Sequence, residues 1–165
     1  MRPSALSHTQ FVSRFGPVYE ASPWVAEAVW PAVEDGNLDE PTALAKAMRA
    51  AVDAAPREMR LGLIRAHPEL AGRTRMAQAS IKEQSGAGLD QCSPAEFEAF
   101  QRHNAAYNGR FGFPFIVAVK GMSRTDILAA FEARLANDPE TEFATAIDQI
   151  HRIAGFRLAD LFESN

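Results

Sequence analysis

Ser93-Pro94-Ala95-Glu96-Phe97 opens, and Phe111-Gly112-Phe113-Pro114-Phe115-Ile116-Val117-Ala118-Val119-Lys120-Gly121 closes, the stretch on which the fold turns. Ser93 and Glu96 have capping-box spacing, in which a hydroxyl and a carboxylate satisfy the first free amides of a helix. Phe97, Phe100, Asn104 and Tyr107 then recur at helical intervals up to Gly112. The run after Gly112 is aromatic and β-branched, bounded by glycines and broken by Pro114, which favours an extended backbone. No second run of this kind is present to pair with it. Its peptide groups must therefore find partners outside a sheet: side chains, neighbouring helices, water or a bound ligand. The expected fold is all-α, a single-domain multi-helical bundle over residues 1–165 with one extended Phe-Gly-Phe-Pro-Phe segment.

Outward from this stretch, nearly every segment reads as a helix with punctuation at both ends. Ser7 caps a short helix bearing Phe11, Val12 and Phe15, and Gly16 stops it. Ser22-Pro23 reads as an N-cap followed by proline at the first helical position. Asp39 or Thr42 opens an alanine-rich helix to Ala55, and Pro56 starts another. That one should end near His67, because a residue before proline is pushed out of the α region. Ser80-Ile81-Lys82-Glu83 has capping-box spacing. Ser123 and Asp138-Pro139 open the last two helices, the final one being the longest.

The composition narrows the function classes. The chain has 165 residues, 47% of them hydrophobic, enough for a substantial core. Net charge is −4 and no basic run tracks a phosphate backbone, so no nucleic-acid partner is expected. No apolar run approaches the roughly 20 residues of a membrane span, and no secretory leader is visible. A cytoplasmic location and no membrane partner are expected. With one cysteine, Cys92, no internal disulfide is possible. Cys92 precedes a helix start, where a thiolate can be stabilised, or it is an incidental small residue.

The candidates for chemistry lie in Ala66-His67-Pro68-Glu69-Leu70-Ala71-Gly72 and in Ser80-Ile81-Lys82-Glu83-Gln84. His67, of four histidines, has its ring direction set by Pro68. An imidazole exchanges protons near neutrality; at a helix end it also serves as a cap. Glu83 reaches back to Ser80 as a cap or aims its carboxylate into a pocket. His8, His103 and His151 read as surface or boundary residues. Arg157, between Phe156 and Leu158, either snorkels or is paired in a pocket. Asn104 and Tyr107 share a helix face suited to holding the extended segment. Gly155 inside the last helix costs roughly 1 kcal/mol against alanine and is expected to loosen the support of Arg157. Metal-ligand spacings, phosphate loops, dinucleotide fingerprints and the nucleophile elbow are all missing.

Together with Ser22-Pro23-Trp24-Val25-Ala26, Asn104-Ala105-Ala106-Tyr107 and Ile153-Ala154-Gly155-Phe156-Arg157-Leu158, these segments resemble the OHCU decarboxylase family along essentially the whole chain. OHCU is 2-oxo-4-hydroxy-4-carboxy-5-ureidoimidazoline, a labile product of urate oxidation. The resemblance implies an all-helical enzyme without cofactor or metal, a homodimer, that converts this small molecule to (S)-allantoin with release of CO2. It implies His67 as catalytic proton donor and Glu83 as its acidic partner. It implies substrate contacts at Pro68, Ser80, Gln84 and Arg157, and main-chain contacts along Phe115, Ile116, Val117, Ala118 and Val119. Two other readings stand beside it: a non-catalytic binding domain of the same fold, and a lyase for another ureido or imidazole compound.

Overall fold

The computed structural model describes residues 1–72 and 78–164. Among them are eight α-helices and no strand, so the fold is all-α. They are α1 (His8–Phe15), α2 (Trp24–Glu34), α3 (Pro41–Asp53), α4 (Arg57–Ala66), α5 (Gln78–Gly86), α6 (Pro94–Phe111), α7 (Arg124–Leu135) and α8 (Pro139–Glu163). No helix among the described residues is long and apolar enough to cross a membrane.

Several helix boundaries obey local chemistry. Ser7, Ser93 and Ser123 each accept from the backbone amide three residues on, and the residue there reaches back to complete a capping box. Asp138 accepts from Thr141 N at 2.9 Å at the start of α8. α4 stops at Ala66, one residue before the His67-Pro68 bond, as the proline rule requires. Three expected caps differ. Glu40, not Asp39 or Thr42, is the N-cap of α3, and the Asp39 carboxylate instead accepts from Ser4 N at 2.8 Å and Ser4 Oγ at 2.7 Å. Ser22 donates its hydroxyl to Glu20 O at 2.8 Å, and Pro23 occupies the N-cap of α2. Ser80 lies inside α5, which has already begun at Gln78, so Ser80-to-Glu83 is a helix face and not a capping box.

The described residues form two compact units: residues 1–66 with 151–165, and residues 67–150. The first packs Phe11, Val33, Leu44, Met48, Val52 and Leu63 into its core. His151 is buried here, 8% exposed, with Nδ1 at 2.8 Å from the Tyr19 hydroxyl and Nε2 at 2.9 Å from Asp53. It is thus a buried bridge rather than the surface residue that its polar neighbours Gln149 and Arg152 suggest. Burial, and then the Asp53 carboxylate, push the Tyr19 phenol well above its ordinary value. α8 runs unbroken through Gly155, and a β-carbon there would meet nothing within 4 Å. The expected loosening is not seen.

The second unit is an aromatic core. Phe100, Tyr107, Phe115, Ile127 and Phe131 are each at most 1% exposed. Phe115 stacks on Phe131 at 3.8 Å between centroids, and Tyr107 meets Phe115 edge-on at 5.3 Å. Aromatic contacts of this kind add about 0.5–1.5 kcal/mol each beyond burial. They anchor the segment after Gly112, which turns from α6 at a left-handed φ of 76° that glycine adopts without cost.

Candidate active site

Residues 114–119 lie in neither helix nor strand. Two of their peptide groups go to side chains, and Val119 O accepts from the Met122 amide at 2.9 Å. Ile116 O accepts from Arg134 Nη1, and Ala118 N donates to Gln149 Oε1 at 2.9 Å. Arg134 also lies over the Phe115 ring at 4.3 Å and pairs with Glu142 at 2.9 Å. Glu142 is fully buried and also accepts from the Tyr107 hydroxyl. That hydrogen bond and burial, burial foremost, raise the Tyr107 phenol well above its ordinary value. Phe115, Ile116 and Val119 are buried, whereas Val117 and Ala118 are half-buried.

The second part of the site is the loop after α4. His67 is 7% exposed, and Pro68 and Glu69 are half-buried. Ala71 adopts φ 55°, a left-handed conformation rare outside glycine that costs about 1–2 kcal/mol. Three side-chain amides hold this loop. Gln84 Oε1 accepts from Ala71 N at 2.9 Å, and its Nε2 donates to Glu69 O at 3.3 Å. Gln101 donates to Ala71 O at 3.3 Å, and Asn104 donates to Leu70 O at 2.9 Å.

Ser80 and Gln84 are one helical turn apart on α5, 4% and 6% exposed, with Glu83 half-buried beside them. Gln84 joins that face to the loop that follows His67. On α6, Asn104 holds the same loop while Tyr107, three residues on, contacts Phe115 of the extended segment. One face of α6 therefore anchors both the histidine loop and the extended segment. The expectation that Asn104 serves the extended segment is corrected: its amide serves Leu70. A cavity of about 590 Å³ takes walls from Ala71, Gly72, Gln84, Ile81, Leu89 and Phe97; Gln84 is the expected site residue among its lining residues, which do not include His67 or Glu83. Cys92 also borders it. Burial, with Glu96 adding to it, raises this thiol above its ordinary value, which disfavours the thiolate reading.

The OHCU decarboxylase family profile matches residues 4–159. The chain belongs to the OHCU decarboxylase family. It is 47% identical over 159 residues to 2-oxo-4-hydroxy-4-carboxy-5-ureidoimidazoline decarboxylase of Haloferax volcanii, covering 96% of this chain and 93% of that protein. It is 43% identical to the protein of the same name from Halalkalicoccus jeotgali, over 92% of this chain and 85% of that one. Its fold is similar to the crystal structure of (S)-allantoin synthase, with a TM-score of 0.79 at 32% identity. That match covers 96% of this chain, which spans about half, 52%, of the other.

In this OHCU decarboxylase family member, the second unit holds His67, Pro68, Ser80, Glu83, Gln84 and Phe115–Val119. Arg157 belongs to the first unit, where it is 7% exposed. Its Nη1 lies 2.8 Å from a Glu20 carboxylate oxygen and donates to Pro17 O at 3.2 Å. Burial with an anionic partner replaces the snorkelling reading. Sequence reasoning did not single out Arg134, Glu142 or Gln149. The two ionic residues carry no local motif: Arg134 lies between Ala133 and Leu135, and Glu142 between Thr141 and Phe143.

Proposed function

We propose that this chain decarboxylates OHCU to (S)-allantoin in urate degradation, with no cofactor. The observation that carries this reading is the 47% identity to a decarboxylase of that name across nearly the whole of both chains. The family match at residues 4–159 supports treating the chain as one functional domain.

The chemistry needs no external electron sink. Heterolysis of the C4–carboxylate bond releases CO2 and leaves an electron pair on C4. The pair forms a C4=C5 bond, and the electrons of the ring C=N move to nitrogen, which takes up a proton. The product is an enol. Delivery of a proton to C5, with loss of the C4 hydroxyl proton, gives allantoin. His67 is the proton donor to C5, and donation from one face makes the product S. Glu83 orients the ring or accepts the hydroxyl proton. Pro68, Ser80 and Gln84 shape the pocket, and the main chain of Phe115, Ile116, Val117, Ala118 and Val119 hydrogen-bonds the ligand. That Val117 and Ala118 are only half-buried supports that role.

For Arg157 the support is the sequence resemblance. Its pairing with Glu20 suits positioning rather than gripping. A tight hold on the departing carboxylate would stabilise the ground state and slow the reaction. The protein acts as a cytoplasmic homodimer, a reading that light scattering on the purified chain tests separately.

The decisive experiment generates OHCU enzymatically from urate and follows allantoin ellipticity. Accelerated decay with S product is the expected result. Spontaneous rate and racemic product in the presence of the protein would defeat the proposal.

A further inference from the structure

The bonds that hold the Glu69, Leu70 and Ala71 peptide groups come from side chains, and they come from two helices. Gln84 on α5 takes Ala71 N and Glu69 O, while Gln101 and Asn104 on α6 take Ala71 O and Leu70 O. Two features of the clamp work against stability. Ala71 is held left-handed at φ 55° with a β-carbon present. Asn104, 4% exposed, gives its amide nitrogen to Leu70 O, and its Oδ1 is buried without a hydrogen-bond partner among the described residues. A chain selected for stability alone would use glycine at the first position and an apolar side chain at the second. Unfavourable local states of this kind persist where the surroundings over-determine a functional geometry.

We propose that Asn104 and Gln101 are positioning residues for His67. With Gln84 they lock the loop that leaves Pro68 and so fix the direction of the imidazole, the proton donor in the reaction proposed above. Neither touches the substrate in this assignment. Their effect passes through the Leu70 and Ala71 peptides. The consequence is a specific one: loosening the clamp lets the proton reach C5 from either face.

The test uses Asn104→Ala and Gln101→Ala in the 165-residue chain. With enough enzyme to outrun spontaneous decay, Asn104→Ala is expected to lower kcat at least tenfold with KM within twofold. The enantiomeric excess of allantoin is expected to fall. Gln101→Ala, at an exposed position, is expected to show the same signs more weakly, and it carries the test if Asn104→Ala does not fold. Amide exchange at Ala71, followed by NMR without ligand, is expected to speed up in both variants. Full enantiomeric excess with kcat reduced only in proportion to the folded fraction would overturn the assignment, as would unchanged exchange at Ala71. If the unaltered protein does not process OHCU, the functional reading fails by itself, and the exchange rates still decide whether the clamp exists.

Discussion

Glu20 and Arg157, from opposite ends of the chain, form a buried ion pair at 2.8 Å, with side chains 5% and 7% exposed. Ser22 and Pro17 flank it, the first bonding Glu20 O and the second accepting from Arg157. Removing one partner of such a pair strands the other charge out of water, at about 3–5 kcal/mol. Glu20→Gln and Arg157→Met are each expected to destabilise the fold by that order in urea unfolding. The double variant is expected to lose much less than the sum. Additive losses would show that the two charges are not coupled.

Arg134 connects Glu142, Ile116 O and the Phe115 ring. Arg134→Ala leaves the Glu142 carboxylate buried, and a stability loss of about 3–5 kcal/mol is expected. Gln149→Ala removes a single neutral hydrogen bond to Ala118 N, which is worth about 1 kcal/mol. It also removes the restraint that orients a peptide assigned to substrate contact, so its KM should rise while its denaturation midpoint moves little. An unchanged KM would remove Ala118 from the binding surface.

His67→Asn keeps a polar side chain in a position that is 7% exposed but removes the titratable proton. General acid catalysis contributes about 10²–10⁴-fold, so kcat should fall by that factor, with racemic background product dominating. Glu83→Gln should lower kcat with smaller effect on product handedness, since Glu83 orients the ring or takes the hydroxyl proton. Full activity in His67→Asn would end the proton-donor role without touching the family membership.

Asp138 caps α8 by accepting from the Thr141 amide at 2.9 Å and the Thr141 hydroxyl at 2.8 Å. These bonds hold its carboxyl below the usual aspartate range, which is about 3.9. A depressed folded value means the capping stability is fully present above about pH 4 and is lost as pH falls through the folded value. The melting advantage of the unaltered protein over Asp138→Ala should be constant near neutrality and shrink in stronger acid. A pH-independent difference would assign the cap to the hydroxyl and dipole rather than the charge.

The sequence by itself determined that the chain is helical and where several helices start and stop. Ser7, Ser93, Ser123 and Asp138 act on amides three residues away, and Pro68 acts on the residue before it, so these effects are complete within one turn of chain. The break in helix after Gly112 was legible for the same reason. Family membership was legible as well, because the matching segments run along the whole chain in order. Ser80 shows the limit: its spacing to Glu83 fits a capping box, but the helix is already under way at Gln78, and Ser80 is buried inside it beside Gln84. Only tertiary structure decided what the polar groups do. His151 is buried against Tyr19 and Asp53, Asn104 reaches Leu70 rather than the segment after Gly112, and Arg134 supplies what a neighbouring strand would have given Ile116. Each of these partners is distant in sequence. A buried hydrogen bond is chosen by which donors and acceptors are left without water when helices pack, and no local pattern encodes that.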